Sequence, residues 1–283
     1  MLNAIPRNPS IIYSLLSMSI ITILSDLQTA DIGVCTLKAA LIQLPAKNNI
    51  IDITHAISKT DIQQAAYLSA SSYIHFPEGT IHLLLVDIFQ RNRQKLILAV
   101  HNGHYFLAPD NGILSLITGD DETTSIYLCR EFQGFPALAS WIDAVTDTIN
   151  MLQSGGKPEV VLSLYTPERN YKLPQPTIFN SRVDCSILHI DRYGNMILNL
   201  NRNQFEEIIG DKKFGIKILG VREEINQVSQ HYNDVEEGKF LCRFNSSGYL
   251  EIAINRSPAD SFEPKPLPSR TISYDKISIN IHS

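Results

Sequence analysis

The stretch "SIITILSD", residues 19 to 26, decides how the chain begins. It closes a longer apolar run, "IIYSLLSMSIITIL" (11–24), whose length is close to that of a signal-peptide core. The run is too short to cross a bilayer as a helix. No small-x-small cleavage site follows it, and a single Arg precedes it. Its end is β-branched and runs into an acid. These features predict a buried first strand ending at Asp26, with residues 1–17 as an N-terminal extension and Met18 as the functional start.

Downstream, short β-branched runs alternate with helical spacing. "IITIL" (20–24), "NIIDIT" (49–54), "TIHLLLVD" (80–87) and "KLILAV" (95–100) read as strands. "VCTLKAALIQL" (34–44) and "DIQQAAYLSASSYI" (61–74) read as helices, the second with Asp61 as its N-cap. Strand, helix, strand, helix, strand predicts an α/β domain with a mainly parallel sheet flanked by helices. After "SGGKPE" (154–159) and "TPERNYKLPQP" (166–176) the pattern turns to strands: "SILHI", "NMILNL", "FGIKIL", "YLEIAI" and "TISYDKISI", with one helix, "RNQFEEII" (202–209). The division expected is an extension at 1–17, an α/β domain at 18–165, a linker at 166–180 and a smaller, mainly β domain at 181–283.

Composition narrows the function. With 283 residues, 44% hydrophobic and 19% charged, the chain can bury real cores. A net charge of −5 and the lack of any basic cluster argue against nucleic acid or an anionic membrane as partner, leaving a small molecule. Cys35, Cys129, Cys185 and Cys242 are scattered, with no CxxC and no His at ligand spacing, so neither zinc nor a disulfide framework is suggested, and a reducing cytoplasm fits best.

In an open parallel sheet, ligands sit at the carboxyl ends of strands. Asp26 and Asp31 follow the first strand, Asp52 and His55 end the next, and Asp87 ends the third. Any one of these acids is ordinarily a cap or turn former. Together they suit a ribose, whose diol a carboxylate accepts. The glycine-rich pyrophosphate fingerprint is absent, which points to a nucleoside without a pyrophosphate. In "HNGHYF" (101–106) the glycine predicts a hairpin, with His101 and His104 in turn or surface roles, and His55 is expected to support the sheet end.

Six segments, "ILSDLQTAD", "IIDITHAISKTDIQQAAY", "FPEGTIHLLLVD", "YFLAPDNGILS", "DRYGNMILNL" and "FNSSGYLEIAI", occur in the order of the landmarks of the S-adenosylmethionine hydroxide adenosyltransferase family, which includes the fluorinases and chlorinases. The chain resembles that family from about residue 19 to 283. The resemblance implies a C-terminal β-barrel and a homotrimer with sites at subunit interfaces. It also implies a reaction that breaks S-adenosylmethionine at its ribose 5′ carbon and releases methionine; the sulfonium is the substrate and no cofactor is implied.

By position, Asp26 corresponds to the ribose carboxylate and Asp31 to the partner of the methionine ammonium. Asn195 corresponds to the residue at the adenine edge, with Tyr193 beside it as an aromatic neighbour. Ser246, in the "NSSGYLEIAINRS" stretch (245–257), corresponds to the hydroxyl at the methionine carboxylate. Asn255 falls where the strand ends against adenine, and Gly248 is expected to allow close backbone approach.

The catalytic set departs from the family. Asp87 matches its Asp, but the following turn reads "IFQRNR", which makes Arg93 the nearest Arg candidate and Arg91 a second. "LCREFQGFPALA" (128–139) holds no histidine, and either Cys129 or Gln133 occupies the family's His place. A carboxylate at position 87 repels a halide. The resemblance therefore implies hydrolysis to adenosine and methionine, with a binding protein that has lost turnover as the alternative.

Overall fold

The computed structural model describes residues 19–28, 32–89, 92–119, 121–218, 224–255 and 276–282. Residues 1–17, Met18, Asp31 and Arg91 lie outside them. The chain divides into two compact units between Lys172 and Leu173.

In the first unit the opening run is strand β1 (Ser19–Ser25), whose last five residues are buried. Helix α1 (Ile32–Ile42) follows, then β2 (Asn48–Thr54), α2 (Ile62–Tyr73) and β3 (Ile81–Leu85). Asp61 caps α2 through an Oδ1 that accepts the Gln64 N–H at 2.9 Å. The unit continues with β4 (Lys95–His101), β5 (His104–Pro109), α3 (Ile113–Thr118), β6 (Ser125–Glu131), α4 (Leu138–Gln153), α5 (Pro158–Val161) and β7 (Ser163–Leu164). Strand β5 is the second arm of the hairpin expected at "HNGHYF", whereas β6 and α4 have no counterpart among the expected elements.

The seven strands form one sheet in the order β2-β1-β3-β5-β4-β6-β7. The β1–β2, β1–β3 and β3–β5 pairs are parallel, and β4–β5, β4–β6 and β6–β7 are antiparallel. The sheet is thus mixed rather than mainly parallel. The physical cause is the two-residue turn Asn102–Gly103 (φ 48° and 76°) joining β4 to β5, since a link that short can only return the chain antiparallel.

Alternate side chains face the two sides. Ile21, Ile23, Leu83, Leu85, Leu96 and Leu98 join Leu37 and Leu41 of α1 and Trp141 and Val145 of α4 in one core. On the other side, Tyr73 at the end of α2 meets His82 and Phe106 edge-on, at 6.1 and 5.2 Å between centroids. The chain leaves β1 for β2 on one flank and returns to β3 on the other, so the strand order reverses beside β1. This reversal is the place where an α/β sheet opens a crevice at its carboxyl edge.

His101 and His104 are not surface residues. Each is 5% exposed, and with His82 they cluster at the opposite, amino edge of the parallel strands. His82 Nδ1 pairs with Thr22 Oγ1 at 2.8 Å and its Nε2 with His104 Nδ1 at 3.1 Å. The hairpin was legible in "HNGH", but burial came from partners up to 60 residues away.

The second unit holds β8 (Thr177–Ile178), β9 (Arg182–Cys185), β10 (Ile187–Ile190), β11 (Met196–Asn201), α6 (Arg202–Ile208), β12 (Lys213–Lys217), β13 (Glu224–Ile225), β14 (Phe240–Phe244), β15 (Tyr249–Ile254) and β16 (Ile277–His282). Asn201 and Gln204 form a capping box that starts α6. The strands make two sheets, β10-β11-β15-β14 and β13-β12-β16-β9-β8. Val183, Leu198, Ile216, Cys242, Ile252 and Ile279 are among the residues of the core they share. No closed barrel forms among the described residues; the unit is two sheets around one core.

Candidate active site

The carboxyl edge of the first unit is built where β1, β2 and β3 end level, with Leu24 paired to Thr54 and Ser25 to Leu85. Asp26 leaves β1 half-buried there, and its N–H donates to Leu85 O at 3.3 Å. Its carboxylate Oδ2 accepts the main-chain N–H of Asp87 at 3.1 Å and, more weakly, that of Thr60 at 3.4 Å. Asp26 and Asp87, 61 positions apart in sequence, are thereby brought together.

Asp87 is 5% exposed and has φ 60°, a left-handed backbone that costs a non-glycine residue about 1–3 kcal/mol. Three side chains from elsewhere in the chain hold its neighbourhood. Gln94 Nε2 donates to Asp87 O at 3.0 Å, Asn111 Nδ2 to Val86 O at 2.9 Å and Trp141 Nε1 to Ile88 O at 3.1 Å. A strained residue clamped from several sides is a common feature of functional turns.

Of these clamps, Asn111 lies in the "APDNG" landmark, whereas Gln94 carried no sequence signal. Arg93 is exposed, with φ 55°, and its N–H donates to Gly134 O at 3.0 Å. Asp31 and Arg91 fall outside the described residues. Cys129 lies within β6, where burial pushes its thiol up to about 12 despite a bond with Thr148, so it is no base at neutral pH. Gln133 is exposed in the following loop.

His55 packs behind the edge. Its Nδ1 lies 2.7 Å from Ser25 Oγ and its Nε2 3.1 Å from Asp52 Oδ1. Asp52 also pairs with Lys38. Partial burial works against the Asp52 charge, but the neighbouring Lys38 and His55 outweigh it and hold the carboxyl below its ordinary value.

In the second unit, Asp191 organises the "DRYGN" turn. Its Oδ1 accepts the N–H groups of Tyr193 and Asn195 at 2.8 and 2.9 Å, and its Oδ2 accepts Asn195 Nδ2 at 2.9 Å. Asn195 is buried with its amide orientation fixed, while Tyr193 is 53% exposed with the Arg192 guanidinium 5.2 Å from its ring centroid.

Met196 pairs with Ile252, so Asn195 and Asn255 stand at the same end of the β11–β15 pair and Ser246 lies beyond the other. Asn255 braces its strand end: Nδ2 donates to Val235 O at 2.7 Å, and the main-chain N–H to Lys239 O at 3.0 Å. Ser246 is exposed in a turn that Asn245 Oδ1 closes by accepting the Ser247 and Tyr249 N–H groups, both at 3.0 Å. Gly248 has φ 78° with no atom within 4 Å of where a Cβ would stand. The positive φ is what this turn requires of a glycine.

Family models of the SAM hydroxide adenosyltransferase N-terminal domain and C-terminal domain match residues 21–154 and 185–262. The chain is 23% identical over 252 residues to the (R)-S-adenosyl-L-methionine hydrolase of Methanocaldococcus jannaschii, covering 83% of this chain and 88% of that one. It is 26% identical over 247 residues to the enzyme of the same name from Thermus thermophilus, covering 83% and 92%. Among solved structures, an uncharacterized conserved protein from Thermotoga maritima superposes with a TM-score of 0.72 at 23% identity, over 92% of this chain and 99% of that one. A conserved hypothetical protein from Thermus thermophilus gives 0.68 at 22%, over 94% and 100%. With both domain models matched in order along most of its length, the chain belongs to the SAM hydroxide adenosyltransferase family.

Proposed function

We propose that this protein hydrolyses S-adenosylmethionine to adenosine and methionine. The observation that carries the reading is the hydrogen bond that Asp26 Oδ2 accepts from the main-chain N–H of Asp87 at the strand reversal, which sets the two acids side by side; the reading gives the ribose diol to Asp26 and the reaction at the 5′ carbon to Asp87. Water attacks C5′, the C5′–S bond breaks, its electron pair stays on sulfur, and the water's proton passes to Asp87. The thioether leaves neutral, so no general acid is needed. Holding water and sulfonium at near-attack distance supplies much of the acceleration.

Arg93, on the turn that follows Asp87, is the candidate for keeping that carboxylate ionised. Asp31 is assigned to the methionine ammonium, Ser246 to its carboxylate, and Asn195, Asn255 and Tyr193 to adenine. The same reading carries a homotrimer, a barrel-like C-terminal domain and a cytoplasmic setting in which the four cysteines stay free thiols. No helix of the described residues is long and apolar enough to cross a membrane.

The test is product analysis in water enriched in oxygen-18. Release of adenosine carrying the label at its 5′ hydroxyl, together with methionine, is the expected result. Tight nucleoside binding with release no faster than in buffer would instead select the binding protein that has lost turnover.

A further inference from the structure

Ser25, His55 and Asp52 stand in the order of a hydrolytic triad, yet Ser25 is 0% exposed and no acyl group can reach it. Their chemistry has another outlet. Lys38 donates to Asp52 Oδ2, and Asp52 Oδ1 lies 3.1 Å from His55 Nε2, although not in line for a good hydrogen bond. A ring lone pair turned to a carboxylate at that distance would be repelled, so the ring proton sits on Nε2. Nδ1 is then an acceptor, and the Ser25 hydroxyl donates to it at 2.7 Å. With its proton committed, Ser25 Oγ is left to accept, and the Leu27 N–H approaches it at 3.4 Å. The chain of donors therefore ends on the amide next to Asp26.

A second link runs from the same residue: the main-chain O of His55 accepts the Gln28 N–H at 3.0 Å. Gln28 has φ 65°, a conformation that a non-glycine residue keeps only when its surroundings hold it. His55 thus pins both residues that follow Asp26, once through its ring and once through its carbonyl.

We infer that Lys38, Asp52, His55 and Ser25 form a positioning relay that sets the Asp26 turn, so that the carboxylate meets Asp87 and presents its remaining oxygen to the ribose. The relay touches no substrate, and its functional consequence rests on the nucleoside reading above. Its signature is directional. In Asp52→Asn the amide oxygen must face the Lys38 ammonium, which turns the NH2 toward His55 and moves the ring proton to Nδ1. Removing the ammonium as well, in Lys38→Met/Asp52→Asn, frees the amide to turn its oxygen back and restores the original tautomer.

Nitrogen-15 spectra of the histidine rings in the full-length protein are expected to place the His55 proton on Nε2 in the parent and in the double variant, and on Nδ1 in Asp52→Asn. Ser25→Ala, which cuts the link to Leu27, is expected to speed Leu27 amide exchange and weaken adenosine binding about tenfold, the scale of one lost hydrogen bond. A parent ring protonated on Nδ1, or a Ser25→Ala protein with unchanged Leu27 exchange, overturns the relay. A parent with no affinity for adenosine overturns the nucleoside reading instead; the relay is still judged by ring tautomer and amide exchange, neither of which needs a ligand.

Discussion

Replacing Asp26 tests two roles at once, and the two obvious substitutions separate them. Oδ2 of Asp26 is engaged by the N–H groups of Asp87 and Thr60, which leaves Oδ1 for a ligand. In Asp26→Asn the amide oxygen can still accept the Asp87 N–H, but the NH2 then faces the ribose and cannot accept a diol. A hydrogen bond to a charged acceptor contributes about 1.5–3 kcal/mol. Adenosine affinity should therefore fall roughly 10- to 100-fold with little change in stability. Asp26→Ala removes both roles. It should weaken adenosine by about 2–4 kcal/mol and also remove the hydrogen bond that Asp26 Oδ2 accepts from the Asp87 N–H, costing a further ~1–3 kcal/mol of stability. For a domain of this size each kcal/mol lowers the unfolding midpoint by about 2–4 °C. Calorimetric titration with adenosine and thermal unfolding of both variants provide the measurement. Parent-like affinity in Asp26→Asn would sink the ribose assignment, and a parent-like midpoint in Asp26→Ala would sink the clamp on Asp87.

Asp87→Asn should keep nucleoside affinity while turnover falls by roughly 100-fold or more, because an amide can bond a water but cannot take its proton. Arg93→Ala should follow it in the same direction and Arg91→Ala should not; single-turnover assays that find Asp87→Asn matching the parent refute the base. Burial, and then the neighbouring His104, depress His82 to about 3 from 6.5. The folded ring thus resists its proton, and its contribution to stability is full above pH 6.5 and drains away as pH falls toward 3, on the order of 4 kcal/mol across that window. Denaturant midpoints taken between about pH 7 and 4 should fall more steeply for the parent than for His82→Phe, and equal slopes would remove His82 as the cause. Sedimentation should find three copies of the chain together, and a stable monomer with full adenosine affinity would contradict the trimer.

Much of the chain was legible because it depends on near neighbours. The strand at 19–25, the cap at Asp61, the helix expected at 202–209 and the hairpin in "HNGH" each follow from residues within a few positions of one another. The position of Asp26 at the carboxyl edge followed from the same local pattern plus the rule for strand ends. What the sequence could not carry was anything set by contacts across tens of residues. Which polar group meets the Asp87 carbonyl depended on how the segment before β4 lies against that turn, where Gln94 reaches the carbonyl and Arg93 stays exposed. The burial of His82, His101 and His104 depended on strands that only the sheet brings together. The left-handed turn at Asp87 depended on clamps from Asp26, Gln94, Asn111 and Trp141, whose side chains converge only when the sheet and its helices close around one core. Local propensity chooses the elements, but the strain a residue bears and the partner it meets are decided by packing between elements, and those exist only in the folded unit.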